Sequence, residues 1–94
     1  MIKSFATAKA AEIFSGTGKT RGSPPAGVTK RKLAMLEAAE NLDDLRVPPG
    51  NRLEKLKGDR HGRYSIRIND PYRIGFAWRD HDADDVDITN YHQD

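Results

Sequence analysis

The chain predicts an α+β fold in which two amino-terminal helices pack on one face of a mainly antiparallel, twisted sheet. Two observations carry this. The carboxy-terminal half alternates apolar and polar residues over three successive runs, and the amino-terminal half holds two segments with apolar residues at helical spacing. Ninety-four residues suffice for one small core, so one domain spanning 1–94 is expected. Folding at that size buries roughly 60–65% of the unfolded surface.

The strands come first, because the alternation is clearest there. Tyr64, Ile66 and Ile68 share one face of the first run, with Ser65, Arg67 and Asn69 on the other. The second run sets Tyr72, Ile74, Phe76 and Trp78 against Arg73, Gly75, Ala77 and Arg79. After a turn over Asp80–Asp84, Val86 and Ile88 oppose Asp87, Thr89 and Tyr91. A one-residue slip would turn every side chain over, so the apolar sets dictate the register. They pair Ile68 with Tyr72 across a three-residue Asn69-Asp70-Pro71 turn, and therefore Arg67 with Arg73. Pairing Phe76 with Ile88 puts Tyr91 opposite Arg73. Adjacent arginines repel unless an anion or an acid lies between them. The polar face thus reads either as an anion-binding surface or as an ordinary solvated sheet face.

Helices must cover the other face. A short strand at Ile2–Phe5 leads to Thr7, which caps a helix through Phe14 with Ala10, Ile13 and Phe14 turned inward. A Gly/Ser/Thr/Pro linker over 15–27 follows, ending in Pro24-Pro25. From about Gly27 to Asp44, Val28, Met35, Leu36, Ala39 and Leu42 form the core stripe of a second helix, while Lys30, Arg31, Glu37, Asn41 and Asp44 lie mostly away from it. Val47-Pro48-Pro49-Gly50-Asn51 breaks the helix and introduces an edge strand at 52–56. Gly16-Thr17-Gly18-Lys19-Thr20 looks like the end of a phosphate-binding loop, yet Ile13 stands where that motif needs its first glycine. A basic loop able to contact RNA or a partner is the better account.

Composition narrows the function classes. No cysteine is present, so neither a disulfide framework nor a thiolate metal site is expected, and His61, His81 and His92 lack helical ligand spacing. We expect no metal and no cofactor. No apolar run approaches the roughly 20 residues that span a bilayer, and the start does not read as a secretory signal, so no membrane and a cytoplasmic location are expected. The net charge of +2 conceals segregation: residues 1–36 carry seven Lys/Arg and one acid, residues 52–73 seven Lys/Arg and three acids, and residues 80–94 six Asp. A basic surface of this kind attracts phosphate backbones.

Several blocks carry a resemblance. Leu56-Lys57-Gly58-Asp59-Arg60, the Tyr64–Asn69 strand, Tyr72-Arg73-Ile74-Gly75-Phe76, the ending Tyr91-His92 and the opening Ile2-Lys3-Ser4-Phe5 resemble the HigB toxins of the RelE/ParE superfamily across nearly the whole chain. That resemblance implies the RelE-like fold. It also implies a toxin of a bacterial type II toxin–antitoxin pair that cuts messenger RNA in the ribosomal A site without metal. The implied partners are the ribosome with its messenger and a HigA-like helix-turn-helix antitoxin, through which a hetero-oligomer binds operator DNA.

Metal-free RNA cleavage needs a base for the 2′-hydroxyl, cations for the phosphate and an acid for the leaving 5′-oxygen. Arg73, mid-sheet with a planar fork, is the cation expected to meet the phosphate, with Lys57 and Arg60 as further cations. Because an unperturbed histidine has a pKa of about 6.5, His92 is the acid–base candidate, and Tyr91 can donate a proton or stack on a base. The expected catalytic set is Arg73, Tyr91, His92, Lys57 and Glu54, and the residues expected to bind RNA are Lys57, Arg60, Arg67 and Asn90. Two departures stand out: Glu54 occupies a place where some members carry histidine, and Asn90 one where an aspartate often stands. Two further classes remain open, a non-enzymatic gyrase inhibitor of the ParE type and a non-toxic RNA-binding module.

Overall fold

The computed structural model describes residues 1–16, 26–56 and 62–90. Its elements run α1 (Ala8–Ser15), α2 (Ala26–Ala38), β1 (Glu54–Lys55), β2 (Arg63–Arg67), β3 (Tyr72–Arg79) and β4 (Asp82–Asn90), with 3₁₀ turns at Leu42–Arg46 and Pro49–Asn51. The four strands form one antiparallel sheet in chain order. Ile2 and Phe5 add isolated parallel bridges to Ala83 and Val86, which is what the expected amino-terminal strand amounts to.

Local chemistry sets the helix ends. Thr7 is extended, and its hydroxyl accepts from Ala10 N at 3.2 Å to start α1. Gly16 closes it in the left-handed region at φ 82, a conformation that disfavours a side chain, and donates to Ile13 O. The α2 pattern stops at Ala38 rather than Asp44. The Asp44 carboxylate accepts from both Glu40 N and Asn41 N at 3.0 Å, which starts a new turn instead of extending the old helix. The buried face of α2 is also wider than the stripe read from sequence: Thr29, Lys32 and Leu33 join Leu36, while Met35 and Val28 are half-buried.

The first hairpin follows the expected register. Arg67 faces Arg73, Ile66 faces Ile74, and the Asn69 side chain accepts from Tyr72 N at 3.0 Å to lock the three-residue turn. The second does not. Ile74, not Phe76, faces Ile88, and Arg73 faces Thr89 instead of Tyr91. The turn is shorter than the Asp80–Asp84 segment, since Arg79 already pairs with Asp82 and Ala83 is buried. A bulge then shifts the register by one residue: between Gly75 and Ala77 lies one residue of β3, while between Asp87 and Asp84 lie two of β4, Asp85 and Val86. Asp85 takes φ 51, so Ala83 and Val86 can both enter the core although they are three residues apart.

The core lies between the helices and the face bearing Ile66, Ile74, Phe76 and Val86, each fully buried, with Ile68 close behind. Leu33, Leu36, Ala39, Ile13 and Leu45 cover it. Trp78 and Ile88, expected in this core, are half-buried at its margin. Trp78 meets Phe76 edge-on at 6.3 Å, and Phe76 stacks with Tyr64 at 6.2 Å. Burial of each large aliphatic chain is worth roughly 1.5–3 kcal/mol, which pins the opposite face of the sheet toward the polar side.

Candidate nucleic-acid interface and active site

That opposite face carries the site. The register lines up Arg63, Ala77 and Asp84 in one row, Ser65, Gly75 and Asp87 in the next, and Arg67, Arg73 and Thr89 in the third. A cavity of about 100 Å³ opens on it, lined by Arg63, Ser65, Arg73, Asp87 and Thr89, with Leu56 at the rim.

Arg73 is the anchor of this face, and it is more enclosed than a phosphate-facing guanidinium needs to be. Only 7% exposed, it donates from Nε to Ser65 Oγ at 2.8 Å and from an Nη to the Arg52 carbonyl at 2.7 Å. Its guanidinium also lies 3.8 Å from the Glu54 carboxylate. The fork is therefore held in one orientation by groups of β2, β1 and the turn before it. Glu54 is half-exposed and stands beside Arg73, so the base candidate and the phosphate candidate form an ion pair. Arg67 pairs with Asp70 at 3.7 Å. Each charge of the Arg67–Arg73 pair thus has an acid beside it, Asp70 for Arg67 and Glu54 for Arg73.

Asn90, the last residue of β4, pairs with Tyr72 one position beyond the Arg73–Thr89 pair. Arg73, Glu54 and Arg67 thus share the polar face on neighbouring strands, whereas Asn90, level with Tyr72, alternates to the other face. Lys57, Arg60, Tyr91, His92 and His61 lie outside the described residues, as does the linker over 17–25. His81 sits in the β3–β4 turn, where its Nδ1 is 2.9 Å from the Glu40 carbonyl, away from the cavity.

Sequence reasoning missed Arg63, Asp87 and Thr89 as site residues. Arg63 reaches Asp87 at 3.6 Å and the Asp85 carbonyl at 3.0 Å, crossing over Gly75. A Cβ on Gly75 would stand 2.7 Å from Asp87 Oδ1 and 3.4 Å from the Arg63 guanidinium, so only glycine leaves room for the pair. A glycine in the middle of an apolar strand was the available signal, since it marks a close approach.

The arrangement can hold a phosphate edge against a fixed guanidinium and present a carboxylate next to it. Among the described residues, no cluster of His, Asp and Glu has the spacing of a metal site. No helix there is long and apolar enough to cross a membrane.

Comparison with known proteins supplies the family. The family model for the RelE-like toxin HigB of type II toxin–antitoxin systems matches residues 3–92. Over 50 residues the chain is 54% identical to Toxin HigB-1 of Vibrio cholerae, an alignment covering 53% of each chain, about half the length of that relative. It is 38% identical over 76 residues to an uncharacterized protein of Haemophilus influenzae, covering 78% of this chain and 75% of that one. It is 32% identical over 94 residues to Endoribonuclease HigB of Proteus vulgaris, covering 98% and 100%. With a two-helix, four-strand α+β fold and a match over nearly all its length, the chain belongs to the HigB-like family of RelE-type toxins of type II toxin–antitoxin systems.

Proposed function

We propose that the protein is a ribosome-dependent messenger-RNA endonuclease that works without metal and is neutralised by a cognate HigA-like antitoxin. The observation that carries this reading is the polar sheet face, where a buried, oriented guanidinium lines a cavity beside a carboxylate. The name of the Proteus vulgaris relative supports the ribonuclease part. Arg73 stabilises the charge that develops on the scissile phosphate, because a fork already held in place needs no reorganisation as the reaction proceeds. His92 and Tyr91 exchange protons with the attacking and leaving oxygens, and Lys57 adds a second cation. Glu54 either accepts the 2′-hydroxyl proton or serves to orient Arg73. Arg67, Arg60 and Asn90 hold the strand.

The ribosome supplies what so small a face lacks. It holds a codon in the A site with its bases splayed, and such positioning is worth as much as roughly 7–11 kcal/mol of a barrier. Free RNA is therefore cut poorly. The antitoxin covers the sheet face around Arg73, and the complex reaches operator DNA through the antitoxin. Primer extension on translated messages after brief induction tests the proposal. New 5′ ends inside reading frames, unaffected by a chelator that spares ribosomal magnesium, are the expected result. Intact messages with inhibited DNA supercoiling would overturn it in favour of gyrase inhibition.

A further inference from the structure

Four residues paired in register run straight across the polar face: Glu54 on β1, Ser65 on β2, Gly75 on β3 and Asp87 on β4. Acids stand at the two ends of this row and small residues in the middle. Arginines from the rows on either side cross it in opposite directions. Arg73 starts on β3 and leans over β2, donating from Nε to Ser65 Oγ at 2.8 Å and from an Nη to the Arg52 carbonyl at 2.7 Å, with the Glu54 carboxylate at 3.8 Å. Arg63 starts on β2 and leans over β3, past Gly75, donating to the Asp85 carbonyl at 3.0 Å with the Asp87 carboxylate at 3.6 Å.

Each guanidinium is thus tied toward an outer end of the row by one main-chain carbonyl and one acid. Both line the cavity of about 100 Å³, together with Ser65 and Gly75 from the centre of the row. Asp87 holds its charge away from that centre. Its Oδ1 is buried against Gly75, where a Cβ would stand 2.7 Å from it, and Oδ2 is the oxygen turned to Arg63. A guanidinium has five N–H donors in one plane, more than the Asp85 carbonyl and the Asp87 carboxylate take up on the half-buried Arg63.

We infer that Arg63 is a second guanidinium of the phosphate site: one phosphodiester of the RNA lies over Ser65 and Gly75, its non-bridging oxygens taken by Arg73 on one side and Arg63 on the other, with Asp87 as the positioning residue of Arg63. Neighbouring strands lie about 5 Å apart, which leaves a phosphate at the centre of the row within hydrogen-bonding reach of both forks. Two guanidiniums flanking one cavity repel each other, and an anion between them relieves the repulsion. Negative charge grows on the non-bridging oxygens as the 2′-oxygen attacks, so donors fixed on both sides bind the transition state more tightly than the ground state. The inference rests on the RNA-cleaving reading for the identity of the strand, while the clamp itself calls only for a phosphodiester.

The test measures single-turnover cleavage by the full chain on ribosomes programmed with message. Arg63→Ala is expected to slow cleavage roughly ten- to hundredfold, as loss of one charge-assisted hydrogen bond does, and Arg63→Lys to recover part of that loss. With sulfur in place of one non-bridging oxygen of the scissile phosphate, one of the two diastereomers is expected to slow the unaltered protein. That penalty is expected to vanish in Arg63→Ala and to shrink in Asp87→Asn, a pattern that damage to the fold does not produce. In the unaltered protein, the Nε–H resonances of Arg63 and Arg73 are expected to shift together on titration with a short RNA blocked by 2′-O-methylation, a readout that needs no variant to fold. Unchanged cleavage by Arg63→Ala, or a shift of Arg73 without Arg63 or of neither, would overturn the clamp and leave the cleavage proposal standing. Messages left intact by the unaltered protein would overturn the cleavage reading instead, and the paired resonances then decide the clamp by themselves.

Discussion

At the scale of single residues, Arg73 ties strands together and is the cation proposed to meet the phosphate. Arg73→Ala leaves Ser65 Oγ and the Arg52 carbonyl without this donor, so a loss of about 1–3 kcal/mol is expected beside the loss of growth inhibition that the proposed role requires. Arg73→Lys keeps the charge without the planar fork and is expected to stay folded but inactive. Chemical denaturation beside a growth assay separates the two effects; a toxic, normally folded Arg73→Ala would remove the residue from catalysis. Gly75→Ala is expected to push Asp87 off the Arg63 pair and to cost about 1–3 kcal/mol by overpacking, measurable as a lower melting temperature. The Lys32 amine contributes a pH dependence of definite sign. Burial holds its folded pKa below the unfolded value of 10.5, so between the two the unfolded chain binds more protons and stability rises with pH. The stability of the unaltered protein relative to Lys32→Met should therefore climb as pH approaches 10.5, and a flat difference would contradict the placement of the amine.

At the scale of elements, ends and turns decide more than propensity does. Thr7→Ala removes the acceptor for Ala10 N and should cost about 0.5–2 kcal/mol, with the loss read in thermal melts. Because α1 covers the core through Ile13, the effect should appear in global stability rather than as local fraying. The β4 bulge is the other decisive element. It inserts one extra residue of β4, so that Ala83 and Val86 both reach the apolar face, and it brings Thr89 rather than Ile88 level with Arg73.

At the scale of the whole molecule, one face of the sheet is spent on the core and the other on charge. The helices, the Leu42–Arg46 turn and the amino-terminal segment all serve the apolar side, while β1 and the Asn51-Arg52 corner close over the polar side and fix Arg73. Asn51 ties the two sides together. Asn51→Ala would strip the carbonyls of Leu45 and Val47 and the Lys32 ammonium of their partner at once, for a loss of about 2–4 kcal/mol. Unchanged denaturation of that variant would show that the corner is not a structural joint.

The alternation of Tyr64–Trp78 by itself determined the β2–β3 register, because a slip would have exposed Ile66 and Ile74. The Thr7 cap and the inward set of α1 were equally local, and the family blocks around Arg73 named the class of protein. What only the tertiary structure decided are features set by contacts between distant residues. The end of α2 depends on Asp44 capturing two backbone amides, and the β3–β4 offset depends on Ala83 finding room in the core. The enclosure of Arg73 depends on a carbonyl 21 residues away, and that of Lys32 on a side chain 19 residues away. Periodicity reports which face a residue takes, whereas the partner that meets it there is chosen only when separate segments pack.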